Sequence, residues 1–177
     1  MAIRKLYRID QRTFAVDDPL PPPGDHIEQL KPEQQTAERI LRHAAGDRER
    51  LRADFIFAFD SFDRAKRYFA FKKDRTLYEL AVEEKHVLHS ADMELFNKIA
   101  ALNADTDETR AIAAQYWQGE LGDGKCVEYI CSEAKVTDIL YTPAQRTALF
   151  NELYRKDKPS TDNNRTFYES VMKAPKK

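Results

Sequence analysis

The spacing of hydrophobic and polar residues predicts short strands along much of this chain. In segment 5–10, Leu6 and Arg8 share one strand face and Tyr7 lies on the other, because successive strand side chains point to opposite faces. Segment 55–59 is apolar on both faces, which is typical of a central strand. The other predicted strands are 76–82, 87–89, 126–131 and 136–141.

Helix-starting residues followed by helical apolar spacing predict the segments between the strands. Pro32 begins one such stretch and Gly46 follows its end. Asp60 or Ser61 is a natural N-cap for the next helix, and Ser90 for a third. The predicted helices are 33–45, 62–71, 91–101, 105–117 and 143–154, with a further helical piece in 47–54 and an extended, proline-rich loop over 17–24. The pattern indicates an α+β fold.

Composition indicates one globular domain over 1–156, followed by a polar tail, 157–177, with a turn of structure around 167–172. Lys and Arg number 29 against 30 Asp and Glu, so no overall basic field favours nucleic acid. There is no signal-peptide pattern at Met1 and no apolar run of membrane-spanning length. We therefore expect a cytoplasmic protein, or one delivered into a target cell by a secretion system without a classical signal peptide, and no membrane partner.

The sequence offers few of the common chemical motifs. Cys126 and Cys131 are an odd number of residues apart on one predicted strand, so they point to opposite faces and we expect free thiols. No second cysteine pair and no histidine spacing indicates a metal site, so none is predicted. Phosphate-binding glycine loops and a nucleophile elbow are also missing from the sequence.

Glu128 stands out because it lies in the middle of the apolar segment 126–131. A carboxylate among apolar neighbours loses hydration, so it needs a wet face, a partner or a chemical role. The plain interpretation is a solvent-facing strand glutamate. The alternative is a catalytic carboxylate.

Four segments follow one another along the chain: Leu-Tyr-Arg-Ile-Asp at 6–10, Phe-Ala-Phe-Asp-Ser-Phe-Asp-Arg-Ala-Lys-Arg-Tyr at 57–68, Leu-Tyr-Glu-Leu-Ala-Val at 77–82, and Val-Glu-Tyr-Ile at 127–130. Their order and spacing resemble the ADP-ribosyltransferase superfamily, in particular its small bacterial mono-ADP-ribosyltransferase domains. The resemblance spans roughly residues 6–140. It implies a split β-sheet core with flanking helices.

The resemblance also implies a function and a set of site residues. It implies an NAD-dependent mono-ADP-ribosyltransferase, such as a bacterial toxin or effector, that cleaves the nicotinamide–ribose bond and transfers ADP-ribose to a protein or nucleic-acid acceptor. Glu128 matches the catalytic glutamate, and Arg8, Ser61, Tyr68 and Tyr7 are the residues implied to bind NAD. An antitoxin or immunity protein is an implied partner. In arginine-modifying members a glutamate usually stands two residues before the catalytic one, where this chain has Cys126, which leaves the acceptor open.

Two other functions stay open on the sequence. One is a non-catalytic binding, adaptor or immunity module on a degenerate nucleotide-binding fold. The other is a nucleic-acid-binding domain that uses two basic clusters, Arg48/Arg50/Arg52 and Arg64/Lys66/Arg67/Lys72/Lys73. The plain interpretation of both clusters is a solvated helix face balanced by nearby acidic residues.

Overall fold

The computed structural model describes residues 2–25, 27–121 and 126–154, which form six strands, six α-helices and four short 3-10 helices. The strands are β1 (Ile3–Asp10), β2 (Ile56–Phe59), β3 (Thr76–Glu83), β4 (Val87–Asp92), β5 (Val127–Cys131) and β6 (Lys135–Tyr141). The helices are α1 (Pro32–Ala44), α2 (Leu51–Asp54), α3 (Phe62–Ala70), α4 (Met93–Leu102), α5 (Asp107–Gln118) and α6 (Arg146–Tyr154). The α+β class is confirmed. The predicted tail lies outside the described residues.

The strands form one antiparallel sheet in the order β4-β5-β2-β1-β3-β6. β2 is central, as its apolar faces predict. The pairing between β1 and β2, in the middle of the sheet, is short: its one register pair is Tyr7↔Phe59. We call this pairing the joint. By contrast, β1 and β3 pair along their whole length, from Ile3↔Glu83 to Asp10↔Thr76. The two three-stranded halves of the described sheet are therefore joined by a single register pair of strand residues.

Both faces of the sheet are covered. One face carries a core drawn from both halves, with Leu6 and Tyr78 from one half and Ile56 and Tyr129 from the other. The opposite face is covered by helices: α1, α4 and α5 pack over β2, β4 and β5, while α3 and α6 pack over β1 and β3. In the part of the chain that the structure describes, no helix combines the length and apolar character needed to cross a membrane.

One predicted boundary is wrong. The sequence predicted a strand ending at His89 and a helix capped by Ser90, but β4 continues to Asp92, and Asp92 caps α4 by accepting a hydrogen bond from the Glu94 backbone N–H at 2.9 Å. Ser90 pairs with Tyr129 on β5. Pairing with the neighbouring strand outweighs the local preference of Ser90 for a cap position.

Candidate functional site around Glu128

Glu128 lies on β5, a strand whose five side chains are all buried, and only 6% of the residue is exposed. Its register partners are Phe59 on β2 and Ala91 on β4, and Phe59 in turn pairs with Tyr7 on β1. Because directly paired residues project to the same side of a sheet, Tyr7, Phe59 and Glu128 form one row across the joint. The solvent-facing interpretation of Glu128 is therefore wrong.

Two donors hold the Glu128 carboxylate at one of its oxygens. Arg52 donates from Nη1 to Oε1 at 2.9 Å, and the Tyr116 hydroxyl donates to the same oxygen at 2.6 Å. Burial raises the pKa of Tyr116 well above its usual value, so this hydroxyl stays protonated and acts as the donor. From the described residues, Oε2 accepts no hydrogen bond. Glu128 is thus anchored through one oxygen and has acceptor capacity left on the other.

Arg52 comes from α2, a single helical turn, and only 3% of it is exposed. Its Nε donates to both oxygens of Glu38 at 3.0 Å, and its Nη2 lies 2.9 Å from Glu38 Oε2. Nη1 also donates to the Tyr116 hydroxyl. Burial opposes the charge of Arg52, but Tyr116, Glu38 and Glu128 outweigh it and raise the pKa of the guanidinium. All three nitrogens of this guanidinium therefore have hydrogen-bond or ion-pair partners.

Aromatic rings enclose the same guanidinium. Its central carbon lies 4.7 Å from the ring centre of Phe57, 5.4 Å from that of Phe96 and 5.1 Å from that of Tyr116. Such cation–π contacts are strongest where water is excluded. Arg52 therefore has little freedom to change its position beneath Glu128.

The ionic chain continues outward from Glu38 to the protein surface. Arg42 donates from Nε to Glu38 at 3.1 Å and holds Asp25 through two bonds of 2.8 Å. Glu38 is completely buried, whereas Asp25 is half-exposed. Burial would raise the pKa of Glu38, but the charges and hydrogen bonds of Arg52 and Arg42 lower it overall. Charges of alternating sign thus run from Asp25 at the surface to Glu128 at the sheet.

Aromatic side chains line the sheet beside Glu128. The Phe59 ring lies 6.0 Å from the Tyr68 ring on α3, and the Tyr7 ring lies 5.4 Å from that of Phe62. We call Tyr7, Phe59, Phe62 and Tyr68 the aromatic wall. Tyr7 and Tyr68, both predicted to bind NAD, are therefore on the Glu128 face of the sheet.

Ser61 has the cap role that the sequence allowed. Its hydroxyl accepts a hydrogen bond from the Arg64 backbone N–H at 3.3 Å and begins α3. This fixes the start of the helix that carries Phe62 and Tyr68. Ser61 thus positions part of the aromatic wall.

Arg8 is not brought together with Glu128. It alternates with Tyr7 on β1 and so projects from the opposite face of the sheet. Its Nε donates to Asp10 at 2.8 Å and its Nη1 to the Phe57 carbonyl at 2.7 Å. The structure gives this guanidinium partners within the fold, away from the aromatic wall.

Both cysteines are free, as predicted, and both are buried. Cys126 lies two residues before Glu128, and burial, followed by the charge of Asp60, raises the pKa of its thiol to about 12. The thiol is therefore neutral at physiological pH. It offers neither the charge nor the basicity of a glutamate in that position.

Burial or ion pairing occupies several members of each predicted basic cluster. Arg52 is buried in the ionic chain, so it cannot contact nucleic acid. Arg50 pairs with Asp54 at 2.6 Å, and Arg67 with Asp63 at 2.9 Å. The plain interpretation, balanced helix faces, fits these paired arginines better than a phosphate-binding surface.

Comparison with models of known protein families finds no match, and comparison with curated protein sequences finds no relative. The resemblance to ADP-ribosyltransferases stays a prediction.

Sequence reasoning missed Arg52, Glu38 and Tyr116, the residues that hold Glu128. A signal for Glu38 was present: it precedes Leu41 by three residues and Arg42 by four, so a carboxylate stands in the apolar stripe of α1 with a cation one turn away. Arg52 gave no comparable signal, because segment 47–54 is rich in charges of both signs.

Proposed function

We propose that this protein is an NAD-dependent mono-ADP-ribosyltransferase in which Glu128 is the catalytic carboxylate. The observation that carries the proposal is a nearly buried carboxylate held at Oε1, with Oε2 unpartnered among the described residues, on the sheet face that also bears the aromatic wall. An anchored carboxylate next to flat apolar rings suits a ligand that joins a sugar to an aromatic base. The resemblance of four segments to this family supports the same function.

The chemistry explains why a fixed carboxylate suits this reaction. Breaking the nicotinamide–ribose bond builds oxocarbenium character on the ribose, as in glycoside cleavage. A carboxylate that accepts a hydrogen bond from a ribose hydroxyl stabilises this charge more in the transition state than in bound NAD. In the proposal Glu128 Oε2 is that acceptor, and Tyr7 and Tyr68 pack against the nicotinamide. Nicotinamide leaves with the bonding electrons, and the acceptor's nucleophile forms the new bond to ribose.

The environment of Cys126 narrows the acceptor. A guanidinium becomes a nucleophile only if a base takes its proton, and the resemblance places a glutamate for arginine-modifying members where this chain has a neutral, buried thiol. We therefore propose an acceptor other than an arginine side chain. A nucleic-acid base or another protein side chain remains in keeping with the site.

The deciding experiment measures nicotinamide release from NAD by wild type and by Glu128→Gln, with and without cell lysate. Glutamine keeps the shape and an acceptor oxygen for Tyr116 but removes the charge, so we expect release to fall by about 10²–10⁴-fold. Glu84→Gln is a matched control, because Glu84 also pairs with an arginine, Arg4, at 2.6 Å but lies at the surface. Full activity of folded Glu128→Gln would refute the mechanism.

A second function is favoured by the burial of Glu128 and by its pairing with Arg52, since buried ion pairs also occur as purely structural elements. In that case the chain is a binding or immunity module. It would then release no nicotinamide under either condition while remaining folded, and it would retain a stable protein partner on affinity purification.

A further inference from the structure

Arg52 is placed to control the orientation of the Glu128 carboxylate. It contacts Oε1 directly and also donates to Tyr116, the second donor to the same oxygen. Both bonds that fix Glu128 therefore depend on where this guanidinium lies. Rotation of the carboxylate would break both bonds unless the two donors moved with it.

Glu38 fixes Arg52 from the other side. Nε and Nη2 of Arg52 are taken by Glu38, which leaves Nη1 as the edge directed at Glu128. The planar guanidinium makes this division possible, because one rigid group presents donors to two carboxylates at fixed angles. A lysine ammonium has the charge but lacks this geometry.

From these contacts we infer that Arg52 is a positioning residue, held by Glu38 and enclosed by Phe57, Phe96 and Tyr116, that aims Glu128 at the ribose hydroxyl of NAD. The inference rests on the proposed function. It adds a residue that the family resemblance does not include, one whose effect passes entirely through Glu128. Since misplacement of a reacting group by about 1 Å can cost roughly 10²-fold in rate, a well-folded variant with a looser Glu128 should lose turnover more than binding.

The test compares Arg52→Lys, which keeps a positive charge beside Glu128, with the double variant Arg52→Gln/Glu38→Gln, which removes the Arg52–Glu38 ion pair and leaves Glu128 held by Tyr116. We expect kcat for nicotinamide release to fall by about 10–10²-fold in Arg52→Lys and further in the double variant, with Kd for NAD within about twofold of wild type. Lysine thus restores part of the activity that the double variant loses.

Arg4→Gln is the matched control. Arg4 also donates to a tyrosine hydroxyl, that of Tyr129 at 3.1 Å, and pairs with a carboxylate, Glu84, but it lies on the opposite face of the sheet from Glu128. We expect its kcat to match that of wild type. Circular dichroism and thermal unfolding establish that each variant is folded.

A second measurement does not depend on turnover. In protein labelled with ¹³C at glutamate carboxyl groups, the Glu128 resonance is assigned by its loss in Glu128→Gln. We expect this resonance to move in both Arg52 variants and to stay in place in Arg4→Gln. An unmoved resonance, or full kcat in folded Arg52→Lys, would overturn the inference. If wild type releases no nicotinamide, the proposed function fails, and the resonance alone decides whether Arg52 sets the environment of Glu128.

Discussion

Replacing Glu38 by methionine tests whether the buried ionic chain behaves as one unit. Methionine is unbranched and favours helices, so α1 is preserved while the carboxylate is lost. Arg42 keeps its two bonds to Asp25 near the surface. Arg52 instead loses the partners of Nε and Nη2 and remains buried with Glu128 and Tyr116 alone.

The expected loss of stability follows from the burial of both groups. Breaking a buried ion pair by removing one partner costs about 3–5 kcal/mol. In Glu38→Met, Arg52 keeps Glu128 as a counter-ion, but its Nε and Nη2 donors stay in the interior without partners. For a chain of this size about 2–4 °C in Tm corresponds to 1 kcal/mol, so Tm should fall by about 6–20 °C. Replacing the chain's inner charges together, as Glu38→Met, Arg52→Met and Glu128→Gln, should recover most of this loss, because no buried guanidinium is then left with unpartnered donors.

Urea unfolding followed by circular dichroism measures these free energies. Asp54→Asn is the control, since the Arg50–Asp54 pair is exposed and its loss should cost about 1 kcal/mol or less. The reasoning would be refuted if Glu38→Met lay within about 1 kcal/mol of wild type, or if the triple variant were less stable than Glu38→Met alone.

Two further predictions follow from the shifted pKa values. Burial raises the pKa of Cys126 and Cys131 to about 12. A thiol reagent at pH 8 should therefore label the native protein far more slowly than the unfolded protein. Equal labelling rates would contradict the burial of the thiols. Burial opposes the charge of Asp10, but Arg12 and Arg8 lower the pKa of its carboxyl overall. The ionised Asp10 therefore stabilises the fold above about pH 4, the pKa of an unfolded aspartate, and this stabilisation is lost as pH falls further. Asp10→Asn should therefore lower the free energy of unfolding in urea by about 3–5 kcal/mol at pH 7. This difference from wild type should shrink toward pH 2. A difference independent of pH would show that the ion pairs of Asp10 do not stabilise the fold.

The local pattern of apolar, polar and capping residues was sufficient to predict most of the strands and helices. The central position of β2 followed from its two apolar faces, and the start of α3 followed from Ser61, because alternation and capping are properties of neighbouring residues. Ser90 was misassigned for the opposite reason. Its strand conformation depends on pairing with Tyr129, a residue far along the chain.

The candidate site shows the same contrast between residues that local pattern can identify and residues whose role depends on distant contacts. Glu128 was singled out from its strand pattern and Tyr7 and Tyr68 from the family resemblance, and all three do lie on one face of the sheet. The position of Arg8 relative to Glu128 required the strand order and register, which no segment of the sequence contains. Arg52 was beyond prediction because only the packing of α1, α5 and β5 around α2 makes its charge a buried one.

The single pair between β1 and β2 has a mechanical consequence. Tyr7 and Phe59 form the only register pair between the two halves of the described sheet, and both also belong to the aromatic wall. A twist of one half against the other meets one backbone rung, so the halves are held together mainly by side chains: the core that both share, and the bonds from Arg8 to the Phe57 carbonyl and from Arg4 to the Tyr129 hydroxyl. Any change in the angle between the halves would move Tyr7 relative to Phe59, so side-chain packing as well as strand pairing sets the spacing of the aromatic wall.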